Sequence, residues 1–445
     1  MTARRASEDT LEIEFLNHAS FVLDTGKSRL LVDPWLTGRA FSGGWALEWD
    51  NPRSFQLAST ADYLWISHPH ADHMHLETLR KLCAINPKLI FLGNVNDKID
   101  MCQILAKLPF RRFIPLKERE VFHFDEDTLL YTVPSVVIDQ IMAYRYREVF
   151  VLNVNDAVMD PDIVKRVLDK APVFNRRPLD ILLVNFSHAG KIFDEAADPE
   201  TIFSFYRNRV KGFIDCFKPR ICIPFASFHL YTGEFARGQN FLRVDPKSLM
   251  DIDPCIQIMY PGDTLRYSKS DFSLTKGQPS MVSMESRNYE HPQGVAELRE
   301  VFLRFALKMK KEFWLNFLLP KSMKVHFKDL GLSVVLDCRQ PSMELCPAGV
   351  EFDFECYAEV FHSMLASPFG FDAFHVGADY RIIPKAESVK KMKWFVFIGC
   401  LLDYSLTPRS LLRGILNLSE WKYLYARREH LMRLFTRGYE VGGIS

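Results

Sequence analysis

Three histidines and an aspartate within six consecutive residues are the strongest chemical signal in this 445-residue sequence. They are His68, His70, Asp72 and His73, and they follow an apolar run over residues 64–66 that predicts a short buried strand. His68 and His70 are two residues apart, so in extended backbone their side chains point to the same side. Imidazole and carboxylate ligands together suit Zn²⁺, Fe or Mn²⁺. The spacing therefore favours a metal site over a polar loop whose histidines are merely exposed.

Other ligand-type side chains come at further predicted strand ends. Asp156 follows the alternating stretch over residues 141–154, at a strand end where its carboxylate could bridge two metal ions or cap a turn. His188 and His229 each come a few residues after an apolar strand, and each could be a metal ligand or a polar loop residue. Because strand ends that meet at one edge of a sheet often build a functional site, all three are candidate metal ligands.

Two residues are predicted to support the ligands rather than to bind the metal. Asp33 ends a strand at a Pro break, and it could accept the free N–H of a ligating His or cap the following turn. His18 lies between two predicted strands and is assigned the same supporting role. Among the ligands, Asp72 could also orient a metal-activated water, which makes it the candidate catalytic residue.

The elements that must position these side chains alternate between strands and helices. Their order over residues 11–270 fits an α/β fold in which two sheets are sandwiched between helices, an αββα sandwich. Residues 1–10 are expected to be disordered, and the mostly polar residues 271–292 to form a linker. Residues 293–445 predict an α+β C-terminal domain that could support homo-oligomer assembly. Deleting residues 290–445 is expected to leave a metal-loaded first domain.

Composition narrows the functional class. The formal net charge of +1 argues against a dedicated nucleic-acid binder, because no strong basic field exists. The nine cysteines are scattered without a C-x-x-C pair, which indicates reduced thiols. The N-terminus has no apolar core for a signal peptide, and the longest apolar run, over residues 394–402, is about half a bilayer span. We therefore expect a cytoplasmic protein.

An ordered run of motifs resembles known proteins over roughly residues 11–270. The motifs are Asp33-Pro-Trp-Leu-Thr-Gly38, Ile66-Ser-His-Pro-His-Ala-Asp-His73, Val151-Leu-Asn-Val-Asn-Asp156 and Lys218-Pro-Arg-Ile-Cys-Ile-Pro-Phe-Ala226. They resemble the metallo-β-lactamase fold superfamily and, more closely, the metallo-β-lactamase-like part of CMP-N-acetylneuraminate hydroxylases. The superfamily resemblance implies that His68 and His70 bind one metal and that Asp72 and His73 bind a second. The hydroxylase resemblance implies non-haem-iron oxygenation.

Three departures from the family pattern bear on function. The Cys-x-His and Cys-x-x-His pairs of the hydroxylases' Rieske domain occur nowhere in this sequence, so a redox reaction would need a separate ferredoxin or Rieske-type electron donor. Ser135 takes the place of a His in the hydroxylase pattern. Phe225-Ala226 takes the place of a His that often ends the site in this fold. The last two imply a one-metal or altered site, in which His188 and His229 could be substitutes.

The predicted C-terminal domain carries a weaker resemblance. Residues 351–365 and 371–383 look similar to sterol-carrier-protein-like domains, which implies an apolar tunnel, although a plain packing or dimerisation domain remains the alternative. The leading expectation is a non-haem-iron oxygenase or hydroxylase acting on a sugar- or lipid-linked small molecule. It would contain one or two Fe, with Zn as the other candidate metal. The alternatives are a metal-dependent hydrolase of a phosphodiester, ester or amide, and a binding protein with a degenerate metal site.

Overall fold

The computed structural model describes most of the chain. The described residues are 10–94, 101–117, 120–135, 139–157, 159–171, 173–174, 177–191, 198–283, 286–289, 294–312, 317–347 and 349–403. The N-terminus predicted to be disordered is therefore described only at Thr10, and the predicted C-terminal domain as far as Asp403.

Strands and helices alternate along the chain. The strands are β1 (Leu11–Asn17), β2 (Ser20–Asp24), β3 (Arg29–Val32), β4 (Arg39–Ala40), β5 (Trp45–Leu47), β6 (Trp49–Asp50), β7 (Tyr63–Trp65), β8 (Ile90–Asn94), β9 (Arg112–Leu116), β10 (Val121–His123), β11 (Thr128–Pro134), β12 (Gln140–Tyr146), β13 (Val149–Asn155), β14 (Ile181–Asn185), β15 (Ile221–Phe225), β16 (His229–Tyr231), β17 (Thr264–Tyr267), β18 (Phe272–Thr275), β19 (Ser280–Met281), β20 (Ser322–Phe327), β21 (Leu332–Asp337), β22 (Ser342–Leu345), β23 (Phe354–Cys356) and β24 (Tyr380–Ile382). The α-helices are α1 (Ser54–Ala58), α2 (Leu76–Ile85), α3 (Met101–Leu105), α4 (Pro161–Asp169), α5 (Pro199–Phe217), α6 (Val295–Lys311), α7 (Ala358–Ala366), α8 (Gly370–Gly377) and α9 (Ala386–Asp403). Short 3₁₀ helices span Phe41–Gly43, Arg237–Leu242 and Pro246–Leu249.

Two facing sheets form the first domain. The larger has the strand order β18-β17-β1-β2-β3-β7-β8-β9, and the smaller the order β10-β11-β12-β13-β14-β15. Their inner faces share one buried apolar cluster, in which Phe21 of β2 lies 5.9 Å from Phe225 of β15 between ring centroids. Burying such a side chain contributes about 1.5–3 kcal/mol. The sheets therefore pack face to face, as the sequence predicts.

Helices cover the outer faces of both sheets. Val22 and Leu31 of the larger sheet pack with Leu79 of α2. Val210 and Phe213 of α5 join the cluster that contains the smaller sheet. This arrangement is the predicted αββα sandwich. Helix α2 begins directly after the loop that carries His68 to His73.

The second domain is α+β. Its sheet has the strand order β22-β21-β20-β23-β24. Phe302 of α6, Phe361 of α7 and Phe395 of α9 are buried with Val325 of β20 in a core separate from that of the first domain. None of the helices within the described ranges combines the length and the apolarity that a membrane span requires.

The prediction of a linker over residues 271–292 is wrong for two parts of that segment. β18 pairs antiparallel with β17 and extends the larger sheet, and β19 pairs with β6. Phe272 and Leu274 alternate with polar residues and are half-buried, which is the pattern of an edge strand with one face in water. The linker prediction gave more weight to the polar composition of the neighbouring residues than to this alternation.

The two domains are in direct contact. Arg287, from the segment that joins them, donates to Asp379 at 3.1 Å and to Glu359 at 2.9 Å. A Cβ on Gly44 would lie 2.9 Å from the Cα atom of Gly377, so α8 approaches the first domain backbone to backbone.

Candidate metal centre

Two groups of three side chains bring possible metal ligands together. In each group the ligand atoms all lie within 4.8 Å of one another, and the groups are His18 with Asp72 and His73, and His68 with His70 and Asp156. The groups adjoin, because Nε2 of His73 lies 3.3 Å from Oδ2 of Asp72 and 3.5 Å from Oδ2 of Asp156. Each of the two neighbouring groups could therefore hold a metal ion.

Strand ends position these side chains. His18 stands between β1 and β2, the His68–His73 loop follows β7, and Asp156 follows β13. Because the three strand ends meet at one edge of the sandwich, ligands that are far apart in sequence converge there.

The backbone around this edge is held in an unusual conformation. Four non-glycine residues there have positive φ: His18 at 41°, Asp33 at 43°, Asn155 at 54° and Ala226 at 56°. Each costs on the order of 1–3 kcal/mol and persists only where surrounding contacts enforce it. One such contact joins two of them, since the N–H of Ala226 donates to the carbonyl of His18 at 3.0 Å.

Asp33 and Ser67 orient two of the histidines. One oxygen of the Asp33 carboxylate accepts from the N–H of Ser67 at 2.7 Å. The other accepts from the Ser67 hydroxyl at 2.7 Å and from Nδ1–H of His73 at 3.0 Å. The Ser67 hydroxyl in turn accepts from Nδ1–H of His68 at 2.9 Å and from the amide of Asn155 at 2.5 Å. With Nδ1 of each ring engaged in this way, Nε2 is the nitrogen of both histidines that a metal could bind.

Unpartnered atoms show that the site fits a metal. Nδ1 of His18, Oδ1 of Asp72, Nε2 of His73 and Oδ1 of Asp156 are buried and have no hydrogen-bond partner within the described part of the chain. Buried polar atoms are nearly always paired, and leaving one unpaired costs about 1–3 kcal/mol. Imidazole nitrogens and carboxylate oxygens without thiolates match iron, zinc or manganese.

A carboxylate that the sequence did not single out lies beside the second group. Oδ1 of Asp139 is 3.7 Å from Nε2 of His68, and Oδ2 accepts from the hydroxyl of Ser135 at 3.4 Å. Burial and then the charge of Asp156 raise the pKa of Asp139 to about 6. Ser135, which takes the place of a family His, thus holds a carboxylate at the site. The sequence feature that could have identified Asp139 is its position immediately before β12.

The second domain also contributes a residue. Nε2–H of His70 donates to Oδ2 of Asp372 at 2.8 Å, and Asp372 lies in the first turn of α8. Burial acts to lower the pKa of His70, but the charge and hydrogen bond of Asp372 outweigh it and raise the pKa to about 9. Nothing near Asp372 in the sequence signals this contact, because it depends on how the domains pack.

The two residues predicted to support the ligands have different surroundings in the structure. His18, predicted to act behind the ligands, is a member of the first group, with Nε2 at 2.9 Å from Oδ2 of Asp72. Asp33 makes the expected contact with the N–H of a candidate ligand.

Two predicted metal ligands lie outside both groups. Nε2–H of His188 donates to the carbonyl of Gly190 at 3.0 Å, so this nitrogen is engaged within its own loop. His229 stacks on Trp45 with 3.6 Å between ring centroids, and its ring lies 5.6 Å from that of His18. Both ring nitrogens of His229 are buried and lack a hydrogen-bond partner among the residues described, so it borders the first group without joining it.

A family model matches the part of the chain that carries both groups. Residues 12–164 match the family described as "Beta-lactamase superfamily domain". The superfamily domain thus includes all six residues of the two groups, and the predicted resemblance to this fold superfamily is confirmed.

Curated relatives match a shorter stretch. The inactive cytidine monophosphate-N-acetylneuraminic acid hydroxylase of Homo sapiens and the cytidine monophosphate-N-acetylneuraminic acid hydroxylase of Pongo pygmaeus are each 40% identical over 91 residues. That stretch is 20% of this chain and 18% and 16% of the two relatives, so the match spans less than a fifth of their length. The predicted hydroxylase resemblance is therefore confirmed over this part of the chain.

Solved structures similar to the chain include two enzymes. CmlA, a diiron β-hydroxylase from Streptomyces venezuelae, has a TM-score of 0.40 at 18% identity, and the match covers 59% of this chain and 54% of CmlA. An isothiocyanate hydrolase from Delia radicum gut bacteria has a TM-score of 0.41 at 14% identity, with 58% and 99% covered. The sterol-carrier-like resemblance of the second domain stays a prediction.

Proposed function

We propose that the chain is a metalloenzyme that binds two iron ions and hydroxylates a sugar-linked substrate with O₂. The reaction would insert one oxygen atom into a C–H bond and reduce the other to water, with two electrons and two protons supplied from outside the substrate. The single observation that carries the metalloenzyme part is the pair of adjoining His/Asp groups, joined where Nε2 of His73 lies 3.5 Å from Oδ2 of Asp156.

The ligand set favours this metal class. Each group combines two imidazoles with one carboxylate, a mixture that suits iron and zinc. The six residues are arranged so that His18, Asp72 and His73 would hold one ion and His68, His70 and Asp156 the other. Bound there, the metal would supply Lewis acidity and, as iron, the capacity to react with O₂.

The protein's own residues would prepare the site for this chemistry. Asp33 and Ser67 engage Nδ1 of His73 and of His68, so that Nε2 of each would be the nitrogen that binds a metal. Asp139, whose pKa is raised to about 6 by burial and by Asp156, can hold or release a proton near neutral pH beside His68. This carboxyl group is the candidate for proton delivery during the reduction.

The hydroxylase assignment is supported by the two curated relatives at 40% identity over 91 residues, of which one is named a cytidine monophosphate-N-acetylneuraminic acid hydroxylase and the other an inactive one. We propose that a ferredoxin or Rieske-type protein supplies the electrons. A lipid-linked substrate would require the tunnel predicted for the second domain.

The test is O₂ consumption by the full chain loaded anaerobically with Fe²⁺. The probe substrate is cytidine monophosphate-N-acetylneuraminic acid, with a chemical reductant in place of the electron donor and mass spectrometry of the product. We expect a product that has gained one oxygen atom, formed by the Fe²⁺ form and not by the Zn²⁺ form. Turnover of a phosphodiester, ester or amide by the Zn²⁺ form without O₂ would replace the oxygenase with the hydrolase alternative.

The matched control is the double variant His68→Ala/His70→Ala. It removes two of the three ligands of the second group and is expected to lose the metal of that group. Full metal content in this variant, measured by plasma mass spectrometry, would show that the site is assigned to the wrong residues.

A further inference from the structure

We infer that Asp372, a residue of the second domain, positions the metal ligand His70, so that the centre in the first domain is completed only by the second. This inference rests on the metal centre of the proposed function but not on the reaction or the substrate. Asp372 is assigned here as a positioning residue that acts through His70.

The two ring nitrogens of His70 have different neighbours. Nδ1 lies 2.8 Å from Nε2 of His68, within the second group, and Nε2 lies 2.8 Å from Oδ2 of Asp372. A carboxylate is an acceptor, so Nε2 carries a proton, and Nδ1 is the ring nitrogen that a metal in this group could bind once it gives up any proton of its own. His70 would therefore bind a metal through Nδ1, whereas His68 would bind through Nε2.

The same chemistry occurs a second time in this site. A carboxylate that accepts the remote N–H of a ligating His fixes the ring and raises its basicity toward the metal. Asp33 does this for His73 at 3.0 Å, and Asp372 does it for His70 at 2.8 Å. Each group thus has one carboxylate-oriented His, and the two orienting carboxylates come from different domains.

Helix α8 is closely packed at both of its ends. At its start, a Cβ on Gly370 would lie 2.2 Å from the carbonyl oxygen of Met364, so the turn into the helix is closely packed. At its end, Gly377 approaches Gly44 of the first domain, where a Cβ would meet backbone at 2.9 Å. Asp372 lies between these two fixed points.

The face of α8 that meets the first domain packs beside the site. Ala373 and Val376 contact a buried cluster that includes Trp35, Phe41 and Trp45. The ring of Phe41 lies 6.0 Å from that of His70 between centroids. The packing therefore brings α8 to the ligand loop independently of the Asp372 contact.

The carbonyl of His375, one turn after Asp372, also accepts from the N–H of Lys191 in the first domain at 3.1 Å. Farther away, Arg287 joins the domains through Asp379 and Glu359. Because these contacts remain when Asp372 is replaced, a variant at this position can test the orientation of His70 without separating the domains.

The test is metal binding to the full chain by Asp372→Ala, Asp372→Glu and the control Glu359→Gln. Glu359 is a matched interdomain carboxylate that pairs with Arg287 and does not contact a ligand. Zn²⁺ affinity is measured by competition with a chromophoric chelator, and Co²⁺ absorption reports the geometry of each bound ion. Circular dichroism and thermal unfolding of the metal-free proteins show whether each variant folds.

We expect two ions per wild-type chain and, in Asp372→Ala, a loss of about 10- to 100-fold in affinity for one of them, the usual effect of removing such a partner. The Co²⁺ absorption of that ion should change while the other stays the same. Asp372→Glu should recover part of the affinity, and Glu359→Gln should bind both ions as the wild type does.

The contrary outcomes are distinct. If Asp372→Ala binds both ions with wild-type affinity, the inference is overturned while the metal centre stands. If Glu359→Gln weakens binding equally, the effect comes from loosened domains and the inference is again overturned. If the wild type binds neither Zn²⁺ nor Co²⁺, the metal centre of the proposed function and this inference both fall.

Discussion

Replacing Asp33 by Asn should change which nitrogen of His73 carries the proton. Asp33 is fully buried, and its carboxylate accepts three hydrogen bonds, two from Ser67 and one from Nδ1–H of His73. Asn keeps the shape and tolerates the positive φ of this position, 43°. Its amide can accept only on one side, so it keeps the bond from the N–H of Ser67 and turns an NH₂ toward the other two partners.

The expected consequences follow from donor counting. His73 can accept from the new NH₂ only if Nδ1 loses its proton, which moves that proton to Nε2 and blocks the atom that faces Asp72 and Asp156. Asp33→Asn should therefore lower metal affinity by at least about 10- to 100-fold. The Ser67 hydroxyl already accepts two hydrogen bonds, from His68 and Asn155. In the variant it also loses the carboxylate oxygen of Asp33 to which it donates. One lost bond to a charged group corresponds to about 1.5–3 kcal/mol of unfolding free energy.

The assays are urea unfolding of the metal-free protein, followed by tryptophan fluorescence, and chelator competition with Zn²⁺. Asp160→Asn is the control, because Asp160 caps α4 at the surface by the same kind of carboxylate contact and lies away from the ligands. It should change the unfolding free energy by less than about 0.5 kcal/mol and leave Zn²⁺ affinity unchanged. Wild-type stability and affinity in Asp33→Asn would refute the tautomer assignment.

Three other predictions address the ligands, pH and the domain interface. His18→Ala should reduce bound Zn²⁺ from two ions per chain to about one, because its group keeps only two ligands, and plasma mass spectrometry showing two retained ions would contradict this. Burial lowers the pKa of His188 from 6.5 to about 4, so the folded state resists protonation. The unfolding free energy should therefore fall between about pH 6.5 and pH 4 by at most about 3.5 kcal/mol, at 1.4 kcal/mol per pKa unit. In urea unfolding, His188→Gln should lack this part of the pH dependence of the unfolding free energy. Identical pH profiles for the variant and the wild type would contradict the prediction. Arg287→Met should lower the unfolding free energy by about 3–5 kcal/mol in the same assay, because it leaves Asp379 buried without a countercharge. The control is Arg304→Met at an exposed ion pair, for which a loss of less than about 0.5 kcal/mol is expected. An equal loss in the two variants would refute the reasoning.

The parts of the site that were predictable from sequence are those whose ligands are neighbours in the chain. His68, His70, Asp72 and His73 fall within one loop, so their types and spacing already indicate a shared metal site. Asp33 could be anticipated because a carboxylate at a strand end before Pro has few other partners. The αββα sandwich followed from strand and helix patterns that are local.

The parts that sequence reasoning missed depend on contacts between distant segments. His18 was assigned a supporting role because the turn between β1 and β2 gives no sign of which strand end it will meet. Asp139 and Asp372 reach the site only through the pairing of β12 and the docking of α8.

Domain organisation shows the same limit. The alternation of Phe272 and Leu274 with polar residues was a strand signal, but an edge strand exposes one face and so resembles a linker in composition. Deletion of residues 290–445, expected from the sequence to leave a metal-loaded domain, would remove Asp372. We now expect the shortened chain, if it folds, to bind the second ion more weakly.

The strand order of the larger sheet also bears on the order in which the protein is made and folded. β1 lies between β2 and β17, pairing Leu11 with Tyr267, so this strand is enclosed only when β17, much later in the chain, has been made. Contacts so far apart in the chain form late, because a long loop must close first. His18, at the end of β1, is thus among the last residues of the site to be fixed in place. A growing or cleaved chain without β17 would present the His68–His73 loop without an ordered His18, which would limit premature metal capture by unfinished protein to the second group.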